Sequence, residues 1–489
     1  MQALPTATLT GRPEHSAAEG AVAGGPAGYD RSHLVWWMWV LTGALFATYL
    51  LLSLRLHERL LSNSFDLAIF EQVVRSYAGG HLPVSEVKGP DFPVLGDHFS
   101  PILALIAPLY WLWPSPKALL AVQAALIAAS VLPLTLWARR ALGSGAAAVI
   151  GICYGISWGI ASGVGFDFHE VAFAVPLVVC SLTALANDRL RQAAYWALPL
   201  LLVKEDLGLT VAVIGVLIVR SGDRRLGITT AAIGLGGTLL EVLVILPSFN
   251  PAGGFGRLEW LGVSGGSGGG PGGLLHQYTI GLITPATKII TLIFLLAPTL
   301  CLALRSPLMW VALPTLLWRF ASSYPEPWGT GYHYSLVLMP IVFVAFIDAL
   351  VRRHSSKKSV RRYVAACAAI SLLLLPQFAL WRLFEPAMWR TAPRIAVAHR
   401  LMDQIPDGAK VQVSNELVPH LANRTSVSLY GWPESRPNPQ WIMVDTLAPP
   451  YRLKVNGLQM RESSLDDVRS RGYRTVAEQD GFVLLWRQG

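Results

Sequence analysis

Charge is what this sequence has least of. Asp, Glu, Lys and Arg make up 14% of its 489 residues, against about 25% in ordinary soluble domains. That deficit excludes a soluble globular protein of this length. Cysteine is scarce too: Cys153, Cys180, Cys301 and Cys367 all lie within apolar runs. A disulfide framework or a thiolate metal site is thereby excluded, and the four read as small core residues. Residues 1–30 are rich in Ala, Gly, Pro and Thr and lack an apolar stretch of signal-peptide type, so a disordered tail over 1–33 is expected. There is no HExxH, no Gly-x-Ser-x-Gly and no CxxC set. The Gly-rich stretch Gly262–Gly273 lacks the Gly-Lys-Ser/Thr ending of a phosphate loop and reads as a flexible flap.

What fills the sequence is apolar. Hydrophobic residues reach 53% and mean hydropathy is +0.46, with many runs near the ~20 residues a helix needs to cross a bilayer. Spans are predicted near 34–54, 117–138, 145–164, 171–186, 192–203, 207–219, 226–247, 286–304, 306–320, 334–351 and 363–384, about eleven in all. The net charge of +9 does not indicate nucleic acid, because the basic residues sit in short clusters between spans. Arg139-Arg140, Arg189/Arg191, Arg220/Arg224/Arg225, Arg305 and Arg352 through Arg362 fall on alternate connections. The positive-inside rule puts them in the cytoplasm of a plasma-membrane protein, with the N-terminus inside and residues 385–489 outside. Ser100–Trp113 is apolar but short and ends in Trp113-Pro114-Ser115-Pro116, so an interfacial or re-entrant helix is expected there.

Residues 385–489 change character. Strand-like runs at Lys410–Ser414, Ser426–Tyr430, Trp441–Thr446, Thr475–Gln479 and Phe482–Trp486 alternate with helix-like Arg394–Gln404, Asn415–Asn423 and Ser464–Arg471. Asp480-Gly481 marks a hairpin. The expected fold class is an α-helical polytopic membrane domain, 34–384, with a long outer loop, 55–116, and a small C-terminal extracytoplasmic α/β domain, 385–489.

The few ionisable groups gather on the outer connections. Asp66 follows the first span in "NSFDLAIFEQ", where Ser64 is a candidate cap for a surface helix beginning near Phe65. The bland reading of Asp66 is a carboxylate at the positive end of that helix. Asp97-His98 precede the re-entrant segment. "GFDFHE", Gly165 to Glu170, sets Asp167, His169 and Glu170 between two apolar runs. A helical backbone would pair Asp167 with Glu170 on one face, an extended one Asp167 with His169; the bland reading is a polar helix connection. Lys204-Glu205-Asp206 interrupts another pair of apolar stretches, either as a self-neutralising turn or as functional charge at membrane depth. Arg319 and His333 complete the outer set, and Glu241 sits inside a span in need of a partner. Carboxylates and imidazoles together suit a divalent cation or a general base.

The motifs "FDLAIFEQ", "LGDHFSPIL", "FDFHE", "KED", "YHY", "NELVPHLANR" and "IMVD", taken in order over residues 34–489, resemble the DUF2079 family of bacterial membrane proteins, itself grouped with GT-C type glycosyltransferases. The resemblance implies an enzyme that takes a sugar from a polyprenyl-phosphate donor and passes it to a glycan, lipid or protein acceptor of the envelope. It implies Asp66 as the catalytic base of an inverting transfer. Lys204, Glu205, Arg319 and His333 are expected on the substrate-phosphate side, and Asp97, His98, Asp167, His169 and Glu170 as candidate ligands of a divalent cation, Mg or Mn. The competing expectations are a transporter or flippase, disfavoured because the charges gather at one face and no repeat is present, and a non-catalytic membrane scaffold.

Overall fold

The computed structural model describes residues 36–254, 256, 271–353, 356–448, 454–455, 458–460 and 463–488. The tail expected over 1–33 lies outside them, as do 262–270 of the Gly-rich stretch, whose last residues open the helix Pro271–Gln277.

Among the described residues, seven helices are long and apolar enough to cross a membrane: Trp36–Glu58, Pro116–Leu142, Ser144–Gly165, Arg224–Phe249, Gly273–Thr299, His333–Arg352 and Lys357–Gln377. The eleven expected spans are not all realised at that length. Two become the shorter apolar helices Glu170–Ala186 and Leu207–Arg220. The stretch 192–203 divides into Leu190–Ala197 and a 3-10 segment, Leu198–Leu202, where Pro199 has no N–H to continue the helical ladder. Pro314 breaks 306–320 in the same way, into Pro307–Ala312 and Leu313–Ala321. Ser100–Trp113 becomes the 12-residue apolar helix Pro101–Leu112, only about 18 Å long. Its Trp111 Nε1 donates to Ala78 O of the amphipathic helix Ile69–Ala78, while Leu105, Trp111 and Leu112 stay exposed.

The helices Leu207–Arg220 and Arg224–Leu240 pack through glycine. A Cβ on Gly215 would lie 2.5 Å from the Ala231 nitrogen and 2.7 Å from the Gly227 oxygen, and one on Gly234 would lie 2.5 Å from the Gly208 oxygen. Where surrounding lipid is as apolar as the side chains, such backbone-to-backbone approach is what holds helices together.

The C-terminal segment folds into a five-stranded sheet of β1 (Lys410–Val413), β2 (Ser426–Leu429), β3 (Trp441–Asp445), β4 (Arg474–Gln479) and β5 (Phe482–Trp486), in the order β2-β1-β3-β5-β4. β1 is parallel to both β2 and β3, while β5 runs antiparallel to β3 and β4. β3 and β5 read as nearly unbroken apolar runs because both faces are covered, whereas β1, Lys-Val-Gln-Val, alternates. Met443, Phe482 and Leu484 join Leu429 in the main core, continuous with the helices; Ile442, Val444, Val483 and Leu485 form a smaller core with Tyr430, Tyr473 and Val468 of the helix Leu465–Ser470. The segment expected as a separate domain therefore shares its principal core with the bundle. Arg436 strengthens the join: its Nε and Nη2 donate to both Glu86 carboxylate oxygens at 2.8 and 2.6 Å, across 350 positions of chain.

Two stability predictions follow from this packing. Gly215→Ala places a Cβ against immovable backbone and is expected to cost about 1–3 kcal/mol, read as a lower thermal midpoint in detergent. Gly236→Ala, on the same hairpin with open space around it, is expected to be neutral or to stabilise by about 0.5–1 kcal/mol. Arg436→Ala is expected to cost about 2 kcal/mol. Burial alone would raise the Glu86 carboxyl, but the Arg436 hydrogen bonds and charge outweigh it and hold it below its ordinary 4.5. The stability it contributes is present above that value and lost as pH falls through the depressed one, so the difference in midpoint between Arg436→Ala and wild type shrinks in acid.

Candidate functional site

The site lies where the first connection, the turn 166–169, the segment 204–206 and His333 meet the sheet. The chain leaves the helix Trp36–Glu58, passes through Asn63 in an extended conformation and enters a π turn, Ser64–Ala68, that carries Asp66. Single π turns are frequent at functional sites because they re-aim one side chain relative to the α-helical ladder. Ser64 does not cap this turn as expected. Its backbone N–H and its Oγ–H both donate to Asn415 Oδ1, at 3.0 and 2.7 Å, so the cap comes from the sheet.

The turn of "GFDFHE" is neither helical nor uniformly extended. Asp167 takes a left-handed φ of +52° and His169 is extended at φ −136°. Gln123 of the helix Pro116–Ala129 clamps both ends, with Nε2 donating to Asp167 O at 2.5 Å and Oε1 accepting from His169 N at 2.9 Å. This geometry sends the three ionisable side chains to three different partners. Asp167 Oδ2 accepts from Asn63 N at 2.8 Å and Asn63 Nδ2 at 3.1 Å. Glu170 Oε1 accepts from Lys204 Nζ at 2.7 Å, both groups buried. His169 Nε2 lies 3.0 Å from Asp66 Oδ1; the imidazole is 2% exposed and the carboxylate 21%, so Asp66 is the open member of the pair.

The surroundings set the charge states. Burial pushes the Asp66 carboxyl well above its usual range; Asp167 and Glu170 push it the same way, and Lys204 and Lys88 oppose them. Asp167 is raised to about 6, chiefly by burial, against the Asn63 hydrogen bonds. Burial lowers His169 to about 3, outweighing Glu170, so the imidazole is neutral; its Nε2 approaches Asp66 Oδ1 without hydrogen-bond geometry. Its ring lies against His333, with centroids 3.4 Å apart, and within 6 Å of Phe70 and Phe166. Beyond it, a small cleft of about 20 Å³ is lined by Lys204, Asp206, Thr315, Trp318, His333 and Tyr334 with Val171, Leu207 and Val337.

The remaining predicted residues lie apart from this centre or are held in other contacts. Asp97 pairs with Lys88 at 3.1 Å, and His98 stands between Asp97 at 3.4 Å and Glu205 at 3.8 Å, a second cluster joined to the first by the Lys204-Glu205 dipeptide. Asp97, His98, Asp167, His169 and Glu170 do not converge as a ligand set: among the described residues no group of three or more His, Cys, Asp or Glu is arranged to hold a metal ion. The physical reason is that lysines and amides occupy the positions between the carboxylates. Arg319, expected on the phosphate side, is fully buried and donates to Pro327 O, Gly329 O, Tyr334 O and Ser335 Oγ. It anchors the loop that presents His333. Glu241 lies buried in a second π turn, Glu241–Ile245. Sequence reasoning missed Asn63, Lys88, Gln123 and Asn415. The amides among them carry no charge signal, and Lys88 stands in an ordinary-looking loop, "SEVKGPDFP".

No curated protein matches this chain. Among solved structures it is similar to ArnT from Cupriavidus metallidurans bound to undecaprenyl phosphate, at 13% identity and a TM-score of 0.55 over 93% of this chain and 98% of that one. The apo form of the same protein matches at 13% identity and a TM-score of 0.50, over 92% and 97%. These likenesses show a fold like that of ArnT. The family model described as predicted membrane protein DUF2079 matches residues 56–484, and the chain belongs to that family.

Proposed function

We propose that this protein is a membrane glycosyltransferase of the inverting type, moving a sugar from a polyprenyl-phosphate donor to a hydroxyl of an envelope glycan, lipid or protein. The observation that carries the reading is the Asp66–His169 pair, its carboxylate part-exposed and its imidazole buried and neutral, beside a cleft that combines Lys204 with aromatic and aliphatic walls. A neighbour of the same fold has been solved with undecaprenyl phosphate, which supports a lipid-phosphate donor here. The basic clusters at the opposite helix ends support a plasma-membrane orientation with the sheet outside.

In this reading the Asp66 carboxylate takes the proton of the acceptor hydroxyl as that oxygen attacks the anomeric carbon. The bond from that carbon to the phosphate oxygen breaks, and the electron pair leaves with the lipid phosphate. His169 packs against the Asp66 carboxylate, its Nε2 3.0 Å from Oδ1 without hydrogen-bond geometry, and limits where that carboxylate can sit. The raised Asp66 is a stronger base than an ordinary carboxylate and so better matched to a hydroxyl proton. The growing charge on the phosphate needs fixed positive charge; Lys204 and Lys88, whose fields both reach Asp66, are the groups placed to supply it.

Reconstituted in liposomes with polyprenyl-phosphate sugars, Asp66→Asn is expected to lose about 10²–10⁴-fold in transfer while staying folded. Because the base works deprotonated and is raised, wild-type kcat/KM is expected to fall with acidification on a limb above the ordinary Asp value of 3.8. Equal transfer by wild type and Asp66→Asn across donors would show that Asp66 is not the base.

A further inference from the structure

We propose that the carboxyl ends of β1 and β2 are part of the catalytic centre, with Asn415 the positioning residue for the Asp66 carboxylate. This rests on the reading of Asp66 as the base. The first N–H groups of any helical turn have no partner within it, and Ser64–Ala68 makes no side-chain cap of its own. Asn415, the second residue after β1, fills that role from 351 positions away. Its Oδ1 accepts both the N–H and the Oγ–H of Ser64, and its Nδ2 donates to Asn63 Oδ1 at 3.0 Å. Both functions of the amide are used, and their directions fix the side chain.

Asn63 is in turn held by Asp167. The turn bearing Asp66 is therefore gripped from two sides, by the bundle through Asp167 and by the sheet through Asn415. A second contact comes from the strand next to β1. Trp432, just beyond the end of β2, meets the ring of Phe65 edge-on at 5.4 Å, and Phe65 is the chain neighbour of Asp66. Behind the turn, Gln72 Nε2 donates to Val427 O within β2. Ligands and functional groups of α/β sheets gather at the carboxyl ends of parallel strands, where the chain changes direction across the sheet. Here that edge, between β2 and β3 on either side of β1, faces Asp66 through Asn415.

An arrangement of this kind has a kinetic consequence. A displacement of about 1 Å in a reacting group costs on the order of 10²-fold in rate, and Asn415 controls where Asp66 sits without touching a substrate. The test uses the full chain in lipid nanodiscs, with Asn415→Ala, Asn415→Asp and Arg436→Ala as a control that cuts a different bridge between sheet and loop. Hydrogen exchange over residues 63–70 and steady-state transfer from a polyprenyl-phosphate sugar are measured together. Asn415→Ala is expected to speed exchange over 63–70 by about ten-fold or more and to lower kcat by about 10–100-fold with the donor KM within about three-fold. Asn415→Asp keeps the acceptor for Ser64 and loses the donor to Asn63, and is expected to fall between. Arg436→Ala lowers the thermal midpoint with kcat of the folded fraction unchanged. Unchanged exchange over 63–70 in Asn415→Ala overturns the proposal, as does an equal loss of kcat in Arg436→Ala. If wild type itself transfers no sugar, the transferase reading falls, and the exchange result alone decides whether Asn415 holds the turn.

Discussion

A charged group in a low-dielectric surrounding must find a partner, and the sheet end of this molecule is organised around that requirement. "GFDFHE" shows how. Its three ionisable side chains reach three separate segments: Asn63 in the first connection, Asp66 in the π turn after it, and Lys204 between two short apolar helical segments. Each pairing ties together parts of the chain that hydropathy alone leaves as unrelated interruptions. The left-handed Asp167 and the Gln123 clamp let one tight turn aim in three directions.

The same requirement sets how fully each charge is compensated. Glu170 pairs with Lys204 through Oε1, and the buried Arg319 satisfies its donors with backbone oxygens and a serine hydroxyl. Removing either member of the first pair would leave an uncompensated buried charge, a defect of about 3–5 kcal/mol. Asp66 differs. A neutral imidazole lies 3.0 Å away without a hydrogen bond, and two further carboxylates oppose the charges of Lys204 and Lys88 around it. A carboxylate kept partly open and only weakly compensated is poised to accept a proton, whereas a fully paired one is not.

Legibility followed the range of the forces involved. The long spans were readable because twenty apolar residues state their environment locally: 34–54, 145–164 and 334–351 became Trp36–Glu58, Ser144–Gly165 and His333–Arg352. The five C-terminal strands were readable for the same reason, each within one or two residues of its place. Hydropathy does not weigh prolines such as Pro199 and Pro314, so it overcounts spans where they divide the helix. Within the site, Asp66, Asp167, His169, Glu170 and Lys204 stood out as charge in an apolar chain. Asn63, Gln123 and Asn415 did not, since an uncharged amide looks the same in a loop whether or not it is buried and fully bonded.

By itself, then, the sequence determined that the chain lies in a membrane, which residues could carry chemistry, and that they gather on one set of connections, because hydropathy and charge are properties of single residues and short windows. Only the tertiary structure decided who meets whom: that His169 faces Asp66, that Glu170 pairs with Lys204, that Arg319 braces a loop, and that the sheet holds the π turn through Asn415. Those outcomes depend on contacts between residues 8 to 351 positions apart. The distance and angle of a hydrogen bond are set by the packing of the helices and sheet that carry its partners.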